Sequence, residues 1–182
     1  MGFIAAVKGY SKMTELADDP AVMQIARKAF LQESGAALIK KYSHLNDELF
    51  TDSGFKDFAE DLLTRMTNPY LGDTIARVVR DIPRKLEMNG RIFGTMQLAL
   101  EYGLEPNNMA AGAIAGIAVL LKNAEEKNLP NDLRLADWQN LNNTKIETIL
   151  DWLWSGKTNR YADQIIKHTQ SALKQLTTLI KK

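Results

Sequence analysis

Residues 68–91 read N-P-Y-L-G-D-T-I-A-R-V-V-R-D-I-P-R-K-L-E-M-N-G-R, and the way this stretch has to bend decides how the rest of the chain is arranged. Asn68-Pro69 closes the helix before it, because the residue preceding a proline is pushed out of the α region. Asp73-Thr74 then offers a new helix start, and Ile75, Val78 and Val79 give that short helix an apolar side. Pro83 lacks a donor and clashes with the preceding turn, so one helix cannot run through it. The reading is a short helix, a tight corner at Ile82-Pro83, and a second short turn carrying Arg84 and Lys85. Five basic side chains stand here, Arg77, Arg80, Arg84, Lys85 and Arg91, with the carboxylates Asp73, Asp81 and Glu87 among them. A corner of this kind can aim several cations at one small volume. From spacing alone, a solvated, salt-bridged face with a proline bend is the simpler reading, and an anion or sugar site the sharper one.

Working outward, the apolar pattern is helical nearly throughout. Asp19-Pro20 supplies a capping carboxylate and a first-turn proline. Val22, Ile25, Ala26, Ala29, Phe30, Ala37 and Leu38 then recur at three and four, predicting a helix to about Lys41. Asn46 to Gly54 reads as a polar connection. Phe55, Phe58, Leu62 and Met66 predict the next apolar stripe, stopped by Asn68-Pro69. Beyond the central corner, Ile92 to Tyr102 predicts a helix ended by Gly103. Met109 to Leu121 is apolar all round and too short to span a bilayer, which takes ~20 residues. It is expected to be the central buried helix, with Gly112 and Gly116 admitting a close neighbour. Lys122 to Asn131, with Pro130, reads as a loop. Thr144-x-x-Glu147 predicts a capping box opening a helix with Ile146, Ile149, Leu150 and Leu153 on one side and Gly156 at its end. Trp152 and Trp154 are expected to pack in the core or at a domain interface. Tyr161, Ile165, Ala172, Leu176 and Leu179 mark the last stripe, with Lys181-Lys182 at the negative end of its dipole. No segment alternates as a strand, and there is no internal repeat. The fold class expected is all-α.

Composition narrows the function classes. A formal net charge of +1 over 182 residues argues against a general nucleic-acid binder. The absence of cysteine excludes disulfides and thiolate metal sites. His44 and His168 lack a metal-binding spacing partner, so no metal site is expected. No Gly-x-Gly-x-x-Gly follows a strand, so the chain shows no means of holding a dinucleotide by itself. No secretory leader or membrane span is read, and the expected location is cytoplasmic.

The central stretch resembles the C-terminal domain of the polyol-specific long-chain dehydrogenases, most closely the mannitol-1-phosphate 5-dehydrogenase branch. The resemblance is carried by Asn68-Pro69, Asp73-Thr74, Arg77-Val78-Val79-Arg80-Asp81 and Pro83-Arg84-Lys85-Leu86. It continues into Arg91-Ile92 and Ala99-Leu100-Glu101-Tyr102-Gly103, and backwards through Glu33-Ser34-Gly35 and Leu38-Ile39-Lys40-Lys41. Weak similarity covers roughly residues 2 to 120, and the segment from Asp73 to Leu86 is its specific part; beyond about residue 122 no similarity is read.

The resemblance implies a multi-helix domain of the 6-phosphogluconate dehydrogenase C-terminal type. It implies NAD held by a separate N-terminal Rossmann domain, and a polyol or sugar phosphate as substrate. An arginine and a lysine eight positions apart reach the sugar hydroxyls in that family; Arg77 and Lys85 have this spacing. Arg80 and Arg84 are the candidates for a phosphate, which guanidinium matches in a fork geometry. The family's catalytic Lys-x4-Asn-x2-His motif is absent from the chain, and Gly2-Phe3 resembles the residues just downstream of that motif. The expectation is a single helical domain that grips substrate without turning it over alone. Phe3, Ile4 and Val7 are then the first candidates for an apolar face open to a partner domain. Two alternatives stay open: a non-phosphorylated mannitol or a hexuronate as substrate, and a free-standing helical interaction domain with no catalysis.

Overall fold

The structure is a computed structural model that describes residues 1–123 and 138–180. Most of the loop expected from Lys122 to Asn131, and the Lys181-Lys182 pair, lie outside the described residues. Among the described residues the fold is all-α; the β-type pairing is an isolated antiparallel bridge between Lys12 and Thr74.

The long helix Asn107–Lys122 lies at the centre. In chain order the α-helices are α1 (Gly2–Lys8), α2 (Pro20–Lys28), α3 (Ala36–Tyr42), α4 (Asp52–Met66), α5 (Ile75–Val78), α6 (Ile82–Lys85) and α7 (Phe93–Glu101). They continue as α8 (Asn107–Lys122), α9 (Asn143–Trp154) and α10 (Ala162–Ile180). Nearly the whole of α8 is inaccessible to water, including Ile114, Ile117 and Leu120. Each of those three side chains contributes roughly 1.5–3 kcal/mol by leaving water. Helices α1 and α10 pack along α8, and α6 touches it. The two glycines of α8 behave differently. A Cβ at Gly116 would lie 3.0 Å from Phe3 Cδ2 and 3.1 Å from Leu86 Cδ2, so this glycine admits α1 and the end of α6. A Cβ at Gly112 would meet open space. Phe3, Ile4 and Val7, expected to be open to a partner, are instead buried here. Among the described residues, the exposed large apolar ones are Leu45, Leu49, Phe58, Tyr70 and Leu71.

The helix predicted from Pro20 to about Lys41 is continuous but changes pitch. Asp19 accepts the Val22 amide at 3.1 Å, as a cap should. Residues Ala29–Gly35 then form a π segment between α2 and α3. Widening the turn frees carbonyls from their usual partners, and the Ser34 hydroxyl donates to those of Ala29 and Phe30. The π segment also turns Glu33 inward. Glu33 is 2 % exposed and accepts from the Asn108 amide at 2.6 Å, the Asn108 side chain at 2.7 Å and the Met109 amide at 2.7 Å. A carboxylate from one helical run thus caps the amino end of the central helix, where the dipole favours negative charge.

Two details of the sequence reading are corrected. The stripe of α4 is Phe55, Ala59 and Leu63, while Phe58 is 42 % exposed. Phe55 is held against Gly35 of the π segment, which fixes the i, i+4 row through the small Ala59 as the inner face. Helix α9 starts before the expected capping box: Asn142 accepts the Lys145 amide at 2.9 Å, so Thr144 lies within the first turn. The rest of that helix is as read. Ile146, Ile149, Leu150 and Leu153 are buried, and Trp154 packs edge-on to Phe93 at 5.2 Å between ring centroids. Helix α10 buries Ile165, Ala172, Leu176 and Leu179, and Gly103 ends α7 in the left-handed conformation at φ 70°. Among the described residues no helix is long and apolar enough to cross a membrane.

Candidate functional site

The basic stretch is pinned at its start by the amino-terminal segment. The Met13 amide donates to the Asp73 carbonyl and the Ile75 amide to the Ser11 carbonyl, both at 2.9 Å. Thr74 then caps α5 by accepting the Arg77 amide. Ile75 is buried, while Val78 and Val79 are half-buried against the core. The break comes one step earlier than Ile82-Pro83. Asp81 takes the left-handed conformation at φ 55°, a position that Asp tolerates better than bulkier residues, and Pro83 sits in the first turn of α6. A proline there gives up an amide that has no helical partner in any case, so the chain bends before it and not at it. Ile82 and Leu86 are buried against the core and hold α6 in place.

Arg77, on α5, is 59 % exposed at its side chain and donates to the Asp73 carboxylate one turn earlier. Lys85, on α6, folds back so that its ammonium donates to the Val78 carbonyl at 2.6 Å. The two cations reach opposite ends of α5: Arg77 turns back to Asp73, ahead of the first turn, while Lys85 binds the carbonyl of Val78, the last residue of the helix. Lys85 uses one of its three N–H donors in this way and keeps two. Desolvation holds its ammonium below the ordinary lysine range, followed by the like charge of Arg91; Asp81 opposes this and Arg84 adds to it.

Arg80 and Arg84 are exposed, and their side chains make no hydrogen bond or ion pair among the described residues. Arg80 lies at the corner, Arg84 within α6. The four sequence-predicted cations therefore share one bent segment, with Arg77, Arg80 and Arg84 on open surface and Lys85 half-buried. One hollow of about 410 Å³ is bounded by α2 and α10, and another of about 390 Å³ runs from Pro83 and Glu87 to Trp152 and Trp154. Neither is lined by Arg77, Arg80, Arg84 or Lys85.

Sequence reasoning missed what fixes these side chains. Asp73 stands four residues before Arg77, a spacing that signals a helical ion pair. The Val78 carbonyl as a seat for Lys85, and the bridge between Lys12 and Thr74, have no periodic signature. The described residues build no parallel sheet leading through a Gly-rich turn into a helix, the arrangement a dinucleotide fingerprint needs. No group of three His, Asp or Glu residues among them is arranged to hold a metal. A family model described as the mannitol dehydrogenase C-terminal domain matches residues 1–177 of this chain. The match reaches well past residue 122, where the sequence reading found no similarity, and takes in α9 and most of α10.

Proposed function

Because this chain belongs to the mannitol dehydrogenase C-terminal domain family, we propose that it is the substrate-gripping domain of an NAD-dependent polyol oxidoreductase that interconverts mannitol 1-phosphate and fructose 6-phosphate. The observation that carries this reading is the half-buried Lys85 ammonium, seated on the Val78 carbonyl next to Arg77 with two donors unspent. Arg77 and Lys85 hold hydroxyls of the open polyol chain. Arg80 and Arg84, which lack carboxylate partners among the described residues, neutralise the phosphate. An open-chain polyol has many rotatable bonds, so the domain's task is entropic: it fixes one conformer and one end of the chain against a cofactor carried elsewhere. Asp73 keeps the Arg77 guanidinium extended along α5 and, as a carboxylate, can accept from a substrate hydroxyl at the same time.

The test is kinetic, in an enzyme uniting this domain with its nucleotide-binding partner and supplied with NAD. Arg77→Ala raises KM for mannitol 1-phosphate or lowers turnover by about tenfold or more, as loss of a charge-assisted contact should. Unchanged kinetics on every polyol oxidised would remove Arg77 from the site. Equal activity on mannitol and mannitol 1-phosphate would favour the non-phosphorylated substrate over the phosphate reading.

A further inference from the structure

We infer that Arg91 joins Arg84 and Lys85 in an anion subsite, which holds the phosphate of a phosphorylated polyol across the Gly90 turn. The inference rests on the polyol reading above and narrows it: Arg91 becomes a specificity-determining residue.

The geometry begins at Gly90. Its amide donates to the Glu87 carbonyl at 2.8 Å, and the chain doubles back on the end of α6. A Cβ at this position would lie 2.9 Å from the Arg84 and Lys85 carbonyl oxygens and 3.0 Å from that of Glu87. Backbone oxygens cannot step aside as a side-chain tip can, so the approach needs glycine. The close return sets residue 91 beside Arg84 and Lys85, seven and six positions back along the chain.

The electrostatics agree. Arg91 and Arg84 both act on the Lys85 ammonium as like charges, and Asp81 is the carboxylate that opposes them. The Arg84 and Arg91 side chains are exposed and make no hydrogen bond or ion pair among the described residues. Like charges gathered around a half-buried ammonium repel one another, and that repulsion is relieved when an anion enters. Guanidinium forks match phosphate oxygens in pairs, and Arg84 and Arg91 supply two such forks.

The experiment monitors the arginine Nε–H and lysine side-chain NMR signals of this chain during titration with inorganic phosphate, mannitol 1-phosphate and mannitol. Inorganic phosphate shifts Arg84, Lys85 and Arg91 saturably. Arg91→Gln weakens that binding at least tenfold, while Arg27→Gln, at an exposed cation on α2 paired with Glu60, changes it less than threefold. Arg91 is exposed, so its variant keeps the fold, which an unchanged melting temperature checks. Equal weakening by the two variants, loss in Arg27→Gln alone, or no saturable phosphate response overturns the inference. The mannitol arm separates this from the parent reading. Mannitol shifts at Arg77 and Lys85 with an inert Arg91 keep the polyol reading and reject the subsite. A responsive Arg91 with no polyol effect at Arg77 keeps the subsite and rejects the polyol reading.

Discussion

Lys85→Met, in an enzyme that joins this domain to a nucleotide-binding partner, lowers kcat/KM for the phosphorylated polyol by about 100-fold. A hydrogen bond from a charged donor contributes roughly 1.5–3 kcal/mol, which spans tenfold to over a hundredfold, and Lys85 has two donors to give. Stability moves little. Methionine loses the charged-donor bond to the Val78 carbonyl, but it also removes a desolvated ammonium from a half-buried position, and the two effects largely offset. A melting temperature within about 3 °C of wild type is the expected companion result. The pH profile provides a second readout. Burial and Arg91 hold the Lys85 ammonium below the ordinary lysine range, so the alkaline loss of substrate affinity sets in below that range. Lys85→Arg carries a charge that does not titrate there, and pushes the loss to higher pH. A Lys85→Met variant with wild-type kcat/KM, or an alkaline limb unmoved by Lys85→Arg, would show that Lys85 is only a strut between α6 and α5.

Glu33→Ala produces the largest stability loss expected in the domain. The carboxylate is 2 % exposed and receives three donors from Asn108 and Met109 at the amino end of the central helix. Alanine strands those donors in a buried site and leaves a cavity, a loss of about 3–5 kcal/mol. For a chain of this size that lowers the melting temperature by roughly 10 °C or more. Glu33→Gln retains one acceptor oxygen and loses less than half as much. Burial raises the Glu33 carboxyl above its ordinary value, while the Asn108 and Met109 donors pull it back. The folded chain therefore holds this proton more tightly than the unfolded chain. The Glu33 contribution to stability is most favourable below the ordinary glutamate range, falls as pH rises through the raised value, and is flat above it. That slope is absent in Glu33→Gln. Thermal melts across this range measure both effects, and a Glu33→Ala variant that melts with the wild type would contradict the capping role.

The parts of the fold legible in the sequence are those written in short-range chemistry. The Asp19-Pro20 start, the all-apolar α8, the Gly103 stop and the inner face of α9 each follow from a cap, a period or a backbone preference within a few residues. What escaped the reading depends on contacts between distant segments. Glu33 reads as one more surface carboxylate until a π segment turns it toward an amide 75 residues away. Phe3, Ile4 and Val7 look like an orphaned apolar edge until Gly116 admits them. Phe58 looks as buried as Phe55 until the Gly35 contact fixes which row of α4 faces inward. The candidate site is legible to the same degree. Its cations and its bend can be read from residues 68–91. The seat of Lys85 on a carbonyl and the return of the chain at Gly90 cannot, because side-chain spacing carries no record of where backbone oxygens lie.

The central claim is that the bent segment from Arg77 to Arg91 holds a phosphorylated polyol, and chemical-shift mapping with mannitol 1-phosphate tests it most directly. Saturable shifts concentrated on Arg77, Lys85 and their neighbours between residues 75 and 91, weakened at least tenfold in a Lys85→Met variant of unchanged fold, are the predicted result. Shifts spread evenly over the surface cations, or centred on the hollow beside Trp152 and Trp154, would contradict it.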